Sequence, residues 1–250
     1  MKIAVLFDGA GLARQGLEWA GHFCVGIELN PIAHYLSTFV GAGECIIGDV
    51  LDQDLSGYEG IWASPPCQWR SSSRTAGVPT GDFAGIAFTR DMTDLLEYSL
   101  QLPHPLLWVE NVTTQHKSGN TWGRAYNAAQ FLPTPNMCRN RIIGGRYPEP
   151  QVHRPYKRYY HEYDLCPGIG ATEYKGCATD GRRASRWFGR KPTLEECAYY
   201  MGFEIPKQWY RKPTWFEGSY TKWEIELYRA IGNGVPPYMA QAFGEAAYIE

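Results

Sequence analysis

The chain has 250 residues, 44% of them hydrophobic and 20% charged, enough for one full domain with a small appended unit. No run approaches the ~20 consecutive apolar residues of a membrane span, and Met1 leads straight into Ile3-Ala4-Val5-Leu6-Phe7 with no basic leader, so a cytoplasmic location is expected. The seven cysteines (24, 45, 67, 138, 166, 177 and 197) are an odd, scattered set that fits a reducing compartment better than a disulfide framework. The net charge of −2 gives no global sign of a polyanionic partner, but its distribution does: residues 139–191 carry twelve Lys and Arg against five Asp and Glu, a balance of +7 that leaves −9 for the rest. A basic segment on an acidic body is expected where a local surface meets a polyanion.

In chain order, apolar runs rich in Val, Ile and aromatics predict strands over residues 3–7, 24–28, 45–49, 60–63 and 106–110. Helices are predicted over 12–20 and over 88–102, where Met92, Leu95, Leu96 and Leu100 recur at helical spacing. Strands separated by helices imply an α/β fold with a parallel sheet covered on both faces, and residues 141–145 add a late strand. The character then changes: residues 146–190 are rich in Tyr, Arg, Gly and Pro without a long periodic segment. Helical periodicity returns over 193–201, 221–231 and 237–248. The expected organisation is a main domain over 1–145, a small loop-rich module over 146–190, and a return segment over 191–250 that completes the main domain.

Chemistry-bearing residues fall at the ends of these strands. Phe7-Asp8-Gly9-Ala10-Gly11 joins the first strand to a helix, and its glycines permit a tight turn and close approach of a ligand. Taken alone the turn is a weak signal, because many such turns are glycine-rich for structural reasons. Glu28 ends the second strand about twenty residues on, where a carboxylate can accept both hydrogen bonds of a ribose diol. Asp49 ends the third, placed to accept from an adenine amino group. Ligands bind at the carboxyl ends of the strands in such sheets, so these residues predict an adenosine-bearing cofactor. After the fourth strand comes Ala63-Ser64-Pro65-Pro66-Cys67-Gln68. Prolines stiffen this loop, and a nearby helix start would favour a thiolate at Cys67; a free cysteine is otherwise commonly buried and inert. Trp108-Val109-Glu110-Asn111-Val112 puts a carboxyl at the end of the fifth strand, beside that cysteine.

Pro65-Pro66-Cys67-Gln68 and Glu110-Asn111-Val112, with Phe7-x-Gly9-x-Gly11, resemble the cytosine-C5 DNA methyltransferases. Later landmarks follow in the family's order: Arg139-Asn140-Arg141 is similar to its Gln-x-Arg-x-Arg element, Thr193-Leu194-Glu195-Glu196 to its Thr-x-x-Glu element, and Gly232-Asn233-Gly234-Val235 to its Gly-Asn-x-Val element. The resemblance implies a Rossmann-like S-adenosylmethionine-dependent methyltransferase sheet with a small target-recognition domain. It implies Cys67 as nucleophile, Glu110 as the acid at the base N3, and Arg141 as a donor to O2 with Arg139 nearby. Phe7, Gly9, Ala10, Gly11, Glu28, Asp49, Pro66 and Asn233 would hold S-adenosylmethionine, which leaves as S-adenosylhomocysteine. The chain departs from the family at Asp8 and Leu12, where small residues are usual, at Met137 in place of Gln, and at Arg70 in place of an aromatic.

The implied partner is double-stranded DNA, with no membrane and no obligate protein partner, and the target base must be flipped out of the stack. Gln68, Ser71, Arg154, Arg158, Arg182, Arg183 and Arg186 are the candidate DNA contacts, many of them to phosphate rather than bases. Lys157 and Trp187 belong to the same basic, aromatic stretch. A module of about 45 residues is short for the family and fits a short target, as in a phage-type or orphan modifier. His161, Cys166 and Cys177 match no common zinc spacing, so no metal is expected. Three alternatives stay open: an RNA cytosine methyltransferase on the same motifs, a catalytically dead DNA-binding relative, and transfer of a different one-carbon group.

Overall fold

The computed structural model describes residues 1–66, 82–83, 86–87, 92–112, 122–131, 137–156, 166–169 and 187–248. Seven strands form the main sheet: β1 (Lys2–Leu6), β2 (Phe23–Glu28), β3 (Glu44–Ile47), β4 (Gly60–Ala63), β5 (Leu106–Val112), β6 (Arg124–Asn127) and β7 (Asn140–Arg146). Their order is β3-β2-β1-β4-β5-β7-β6. The first five are parallel, and β7 runs antiparallel to both β5 and β6. Chain direction across the sheet reverses between β1 and β4, the kind of point at whose carboxyl strand ends open α/β sheets bind ligands.

The helices are α1 (Leu12–Trp19), α2 (Pro31–Ser37), α3 (Met92–Gln101), α4 (Leu194–Met201), α5 (Tyr220–Asn233) and α6 (Pro237–Ala246). Side chains alternate across the pleat. Ile3 and Val5 of β1, with Trp62 and Trp108, face a core completed by Leu12 and Leu17 of α1, Leu36 of α2 and Phe243 of α6. Ala4 and Leu6, with Ile61, Ala63, Leu107 and Val109, face the second core, closed by Val50, Leu55 and Leu96. Phe243 meets Trp62, Tyr126, Phe131 and Tyr147 at ring-centroid distances of 5.0–6.0 Å. The return of α6 to the first helix depends on Gly16, where a Cβ would stand 1.9 Å from the Pro237 carbonyl oxygen. Only a hydrogen there lets the two backbones touch.

The predicted strands and the late strand at 141–145 are present within a residue or two at each end. Phe7 lies in a turn rather than in β1, and Asp49 lies two residues past β3. The helix predicted from residue 88 is described from Met92. Two elements escaped the sequence reading. The seven-residue α2 is too short to show a period; its signal is local, Asn30 capping the amides of Ile32 and Ala33 before Pro31. The β6 strand has the weak pattern Arg-Ala-Tyr-Asn and is held from outside, by pairing with β7. Short pairings also join Asp82–Phe83 to Ile86–Ala87 and Met137–Cys138 to Cys166–Pro167. No described helix is long and apolar enough to cross a membrane.

Candidate active site

The first half of the site lies at the tips of β1, β2 and β3. Phe7 has φ 57°, and among the described residues no other non-glycine takes a positive φ. That conformation costs on the order of 1–3 kcal/mol for a bulky residue and persists only where its surroundings hold it. They do: Asp8 N–H donates to the Ile27 carbonyl at 3.1 Å, and Gly11 N–H to the Asp8 carbonyl at 3.0 Å. Gly9 N–H donates to Glu28 Oε2 at 2.7 Å. The other oxygen of Glu28 accepts from Asn30 N–H, also at 2.7 Å. Burial pushes the Glu28 carboxyl up to about 7, against the pull of those two amides. Asp49 caps the single helical turn Val50–Asp52 by accepting from Leu51 N–H at 3.0 Å. The large apolar side chains of Leu29, Ile47 and Leu51 are exposed close in sequence to these two acids.

Asp8 stands behind this turn. Its Oδ2 pairs with Arg14 Nε at 3.1 Å, both side chains being fully buried. Arg14 also donates to the Gly43 carbonyl and the Ser37 carbonyl, each at 2.7 Å, and contacts Glu18 at 3.2 Å. Burial raises the Asp8 carboxyl above its ordinary value, with the Arg14 charge pulling the other way. The pair joins the turn to α1, α2 and the loop before β3. Sequence reading missed Arg14, because the pairing is made across the turn and leaves no periodic trace.

The second half lies at the tips of β4 and β5. The strands pair in parallel with Ala63 beside Val109, so Ser64 comes level with Glu110 and Pro65-Pro66 lead away from that point. Asn111 Nδ2 donates to the Pro65 carbonyl at 3.0 Å, while its Oδ1 accepts from Val112 N–H at 2.8 Å. Trp62 Nε1 donates to Ser64 Oγ at 3.0 Å. Glu110 is buried, and Arg141 Nε reaches its Oε1 at 2.5 Å. The antiparallel register places Ile143 opposite Glu110, which makes Arg141 the diagonal neighbour on the same face. Arg139 is engaged differently: its guanidinium donates to the main-chain carbonyls of Ile169, Gly232 and Gly234. Asn233, between those two glycines, is exposed.

Cys67, Gln68, Ser71, Arg158, Arg182, Arg183 and Arg186 lie outside the described residues, as do Arg70, Lys157, His161 and Cys177. Arg154 is partly buried, its carbonyl accepting from Gln130 Nε2 at 3.3 Å and its Nη1 within 3.4 Å of the Ala129 carbonyl. Trp187 packs edge-on against Phe188 and Tyr200. Among the described residues no three His, Cys, Asp or Glu side chains form a group that could hold a metal.

No family model matches the chain, and no curated protein does. Solved structures do match over their whole length. A protein described as a DNA modification methyltransferase encoded within an E. coli prophage is 15% identical, with 100% of this chain and 99% of that one covered at a TM-score of 0.55. A triple mutant of DNMT2 from Spodoptera frugiperda is 14% identical, with coverage of 96% and 97% and a TM-score of 0.52. The S. pombe Dnmt2 methyltransferase is 14% identical, with coverage of 97% and 96% and a TM-score of 0.50. The seven-stranded α/β architecture of this chain is that Rossmann-like methyltransferase fold.

Proposed function

We propose that the chain transfers a methyl group from S-adenosylmethionine to C5 of cytosine in DNA, through a covalent bond between Cys67 and C6. The observation that carries this reading is the junction of β4 and β5: Glu110, gripped by Arg141, stands level with the start of the Ser64-Pro65-Pro66 loop, and Asn111 ties that loop to the Glu110 strand. Cys67 is the next residue in the chain. The likeness in fold to a DNA modification methyltransferase supports the choice of substrate.

The strand tips also fit the cofactor. Glu28 offers acceptor oxygens for a ribose diol, Asp49 an acceptor for an adenine amino group, and exposed Leu29, Ile47 and Leu51 an apolar setting for the base. Phe7, Gly9, Ala10, Gly11, Pro66 and Asn233 would complete that pocket. When bound, S-adenosylmethionine supplies an electrophilic methyl group on sulfur.

The chain's own residues make cytosine able to accept it. C5 of an aromatic cytosine is a poor nucleophile. The Cys67 thiolate adds its electron pair to C6, and Glu110 donates a proton toward N3, so the electrons of the C5–C6 bond become available at C5. Arg141 holds the Glu110 carboxyl and presents its remaining N–H groups toward the base O2. After C5 has been alkylated, its hydrogen leaves as a proton to a base, the C5–C6 double bond re-forms, the Cys67–C6 bond breaks with its electrons returning to sulfur, and the N3 proton returns to Glu110. The target must leave the duplex stack for this geometry, and the basic segment 139–191 would hold the phosphates around it.

Duplex DNA carrying 5-fluorocytosine tests the reading. Fluorine cannot leave C5 as a cation, so the adduct should persist, only with S-adenosylmethionine present and only on Cys67. A denaturing gel and peptide mapping would show it. Adduct formation by Cys67→Ala, or trapping on Cys24, Cys138 or Cys197, would overturn the mechanism. Trapping with RNA and not with DNA would keep the chemistry and change the substrate.

A further inference from the structure

Arg139 carries a motif position for which the mechanism above has no task. It is 5% exposed. Its main chain is fixed on both sides: its N–H donates to Asn127 Oδ1 at 3.0 Å, and its carbonyl accepts from Ala128 N–H at 2.9 Å. Asn127 in turn caps the single turn Ala128–Gln130 in a reciprocal box with Gln130. From this braced base the guanidinium reaches two stretches of chain far apart in sequence. Nη2 donates to the Gly232 carbonyl at 2.6 Å and the Gly234 carbonyl at 2.9 Å, and Nη1 donates to the Ile169 carbonyl.

Each contact has a physical reason. Gly232 lies in the last turn of α5, where carbonyls lack helical partners and a cation is favoured. Gly234 packs tightly on the start of α1, since a Cβ there would come within 2.5 Å of Leu12 Cδ1; Leu12 directly follows the Phe7–Gly11 turn. Ile169 is fully buried just past the strand pairing of Cys166–Pro167 with Met137–Cys138. A planar guanidinium has donors pointing in several fixed directions and can serve both stretches at once, whereas an ammonium is a single point on a flexible stem.

We infer that Arg139 is a positioning residue that sets the Gly232-Asn233-Gly234 turn and the 166–169 stretch against one another. Under the function proposed above, which supplies these two roles, the first stretch closes the cofactor pocket through Asn233 and the second belongs to the module that reads DNA. One side chain therefore fixes the spacing between donor and target. Its place in the site is to align, not to touch the base.

Hydrogen exchange on the ligand-free full chain tests the clamp, and calorimetric titration with S-adenosylhomocysteine tests its bearing on the pocket. Arg139→Met should speed exchange in peptides covering both 166–169 and 232–236, and weaken S-adenosylhomocysteine binding by about tenfold or more, as expected for lost charged hydrogen bonds. Arg139→Lys should restore slow exchange at 232–236 and most of the affinity, because one ammonium can still serve the end of α5, while 166–169 stays fast. This variant keeps the test open if the methionine variant does not fold. Unchanged exchange at either stretch in Arg139→Met, or in both stretches of Arg139→Lys, would overturn the inference. A parent protein that gives no heat with S-adenosylhomocysteine would sink the cofactor reading instead, and the exchange rates would still decide the clamp.

Discussion

Glu28, the last residue of β2, and Glu110, two residues before the end of β5 but just past the end of its neighbour β4, are held by opposite means. Glu28 is held by main-chain amides, those of Gly9 and Asn30, both within twenty residues of it. Glu110 is held by a charged side chain, Arg141, that arrives thirty-one residues later on an antiparallel strand. Amide donors are neutral, so they do not cancel the charge of a carboxylate once it ionises. A guanidinium beside a carboxylate compensates that charge. Under the proposed function, the difference separates an acceptor waiting for a hydroxyl pair from an acid aligned on a ring nitrogen.

Breaking the second arrangement should have the largest effect. Arg141→Met strands the Glu110 carboxyl without its partner in a buried site, and loss of one partner of such a pair costs about 3–5 kcal/mol. Chemical denaturation should show it, with methyl transfer abolished. The double variant Glu110→Gln/Arg141→Met should recover much of the stability and none of the activity. Equal stability in the single and double variants would mean the pair is not coupled.

The first arrangement should respond more gently, and to pH. Glu28→Ala should weaken S-adenosylhomocysteine binding by roughly 1.5–3 kcal/mol, the worth of hydrogen bonds to a charged group, with DNA affinity unchanged in a filter-binding assay. Because burial raises the folded Glu28 carboxyl from an ordinary 4.5 to about 7, the folded state binds more protons than the unfolded between those values. The Glu28 contribution to stability therefore falls as pH rises from about 4.5 to 7 and is level above that; each pH unit in the interval corresponds to about 1.4 kcal/mol at most. Glu28→Gln should remove that slope. Ligand affinity should run the other way, tightening between pH 6 and 8 as the acceptor form fills. A parallel pH dependence in Glu28→Gln would assign the effect to another group.

The smallest effect belongs to the joint between the two strand tips. Asn111→Ala removes two neutral hydrogen bonds, to the Pro65 carbonyl and from Val112 N–H, each worth about 1 kcal/mol. Turnover should drop several-fold with S-adenosylhomocysteine affinity intact. A loss of affinity without a loss of turnover would place the influence of Asn111 on the cofactor side.

The same contrast explains what could be read from the sequence. The five parallel strands, the Gly-rich turn and Glu28 announce themselves through local patterning, since apolar runs, glycines and a terminal acid lie within one strand–helix–strand unit. Glu110 and Arg141 were legible as motif positions, and their meeting follows from β7 returning beside β5. Arg14 and the clamp made by Arg139 were not legible. Each is a long side chain that reaches main-chain carbonyls distant in sequence, at Ser37 and Gly43 for Arg14, which also pairs with Asp8 and Glu18, and at Ile169, Gly232 and Gly234 for Arg139. A carbonyl acceptor carries no residue identity, so no sequence pattern marks it. The strand β6 was missed for a related reason: its pairing, and not its composition, makes it a strand.

The contact of Gly16 with Pro237 bears on how the molecule is born. During synthesis α1 emerges early, yet the face it shares with β1 and β4 is not sealed until α6 follows, more than two hundred residues later. Until Phe243 has been made, Trp62, Tyr126 and Phe131 lack the ring that touches all three, and the growing chain carries that open aromatic face while the intervening residues are added. At ~5–20 residues per second this is a wait of roughly ten seconds or more. The sheet thus completes its core only once α6 has been made, and a stall or truncation before residue 237 leaves a sticky intermediate for chaperones to hold.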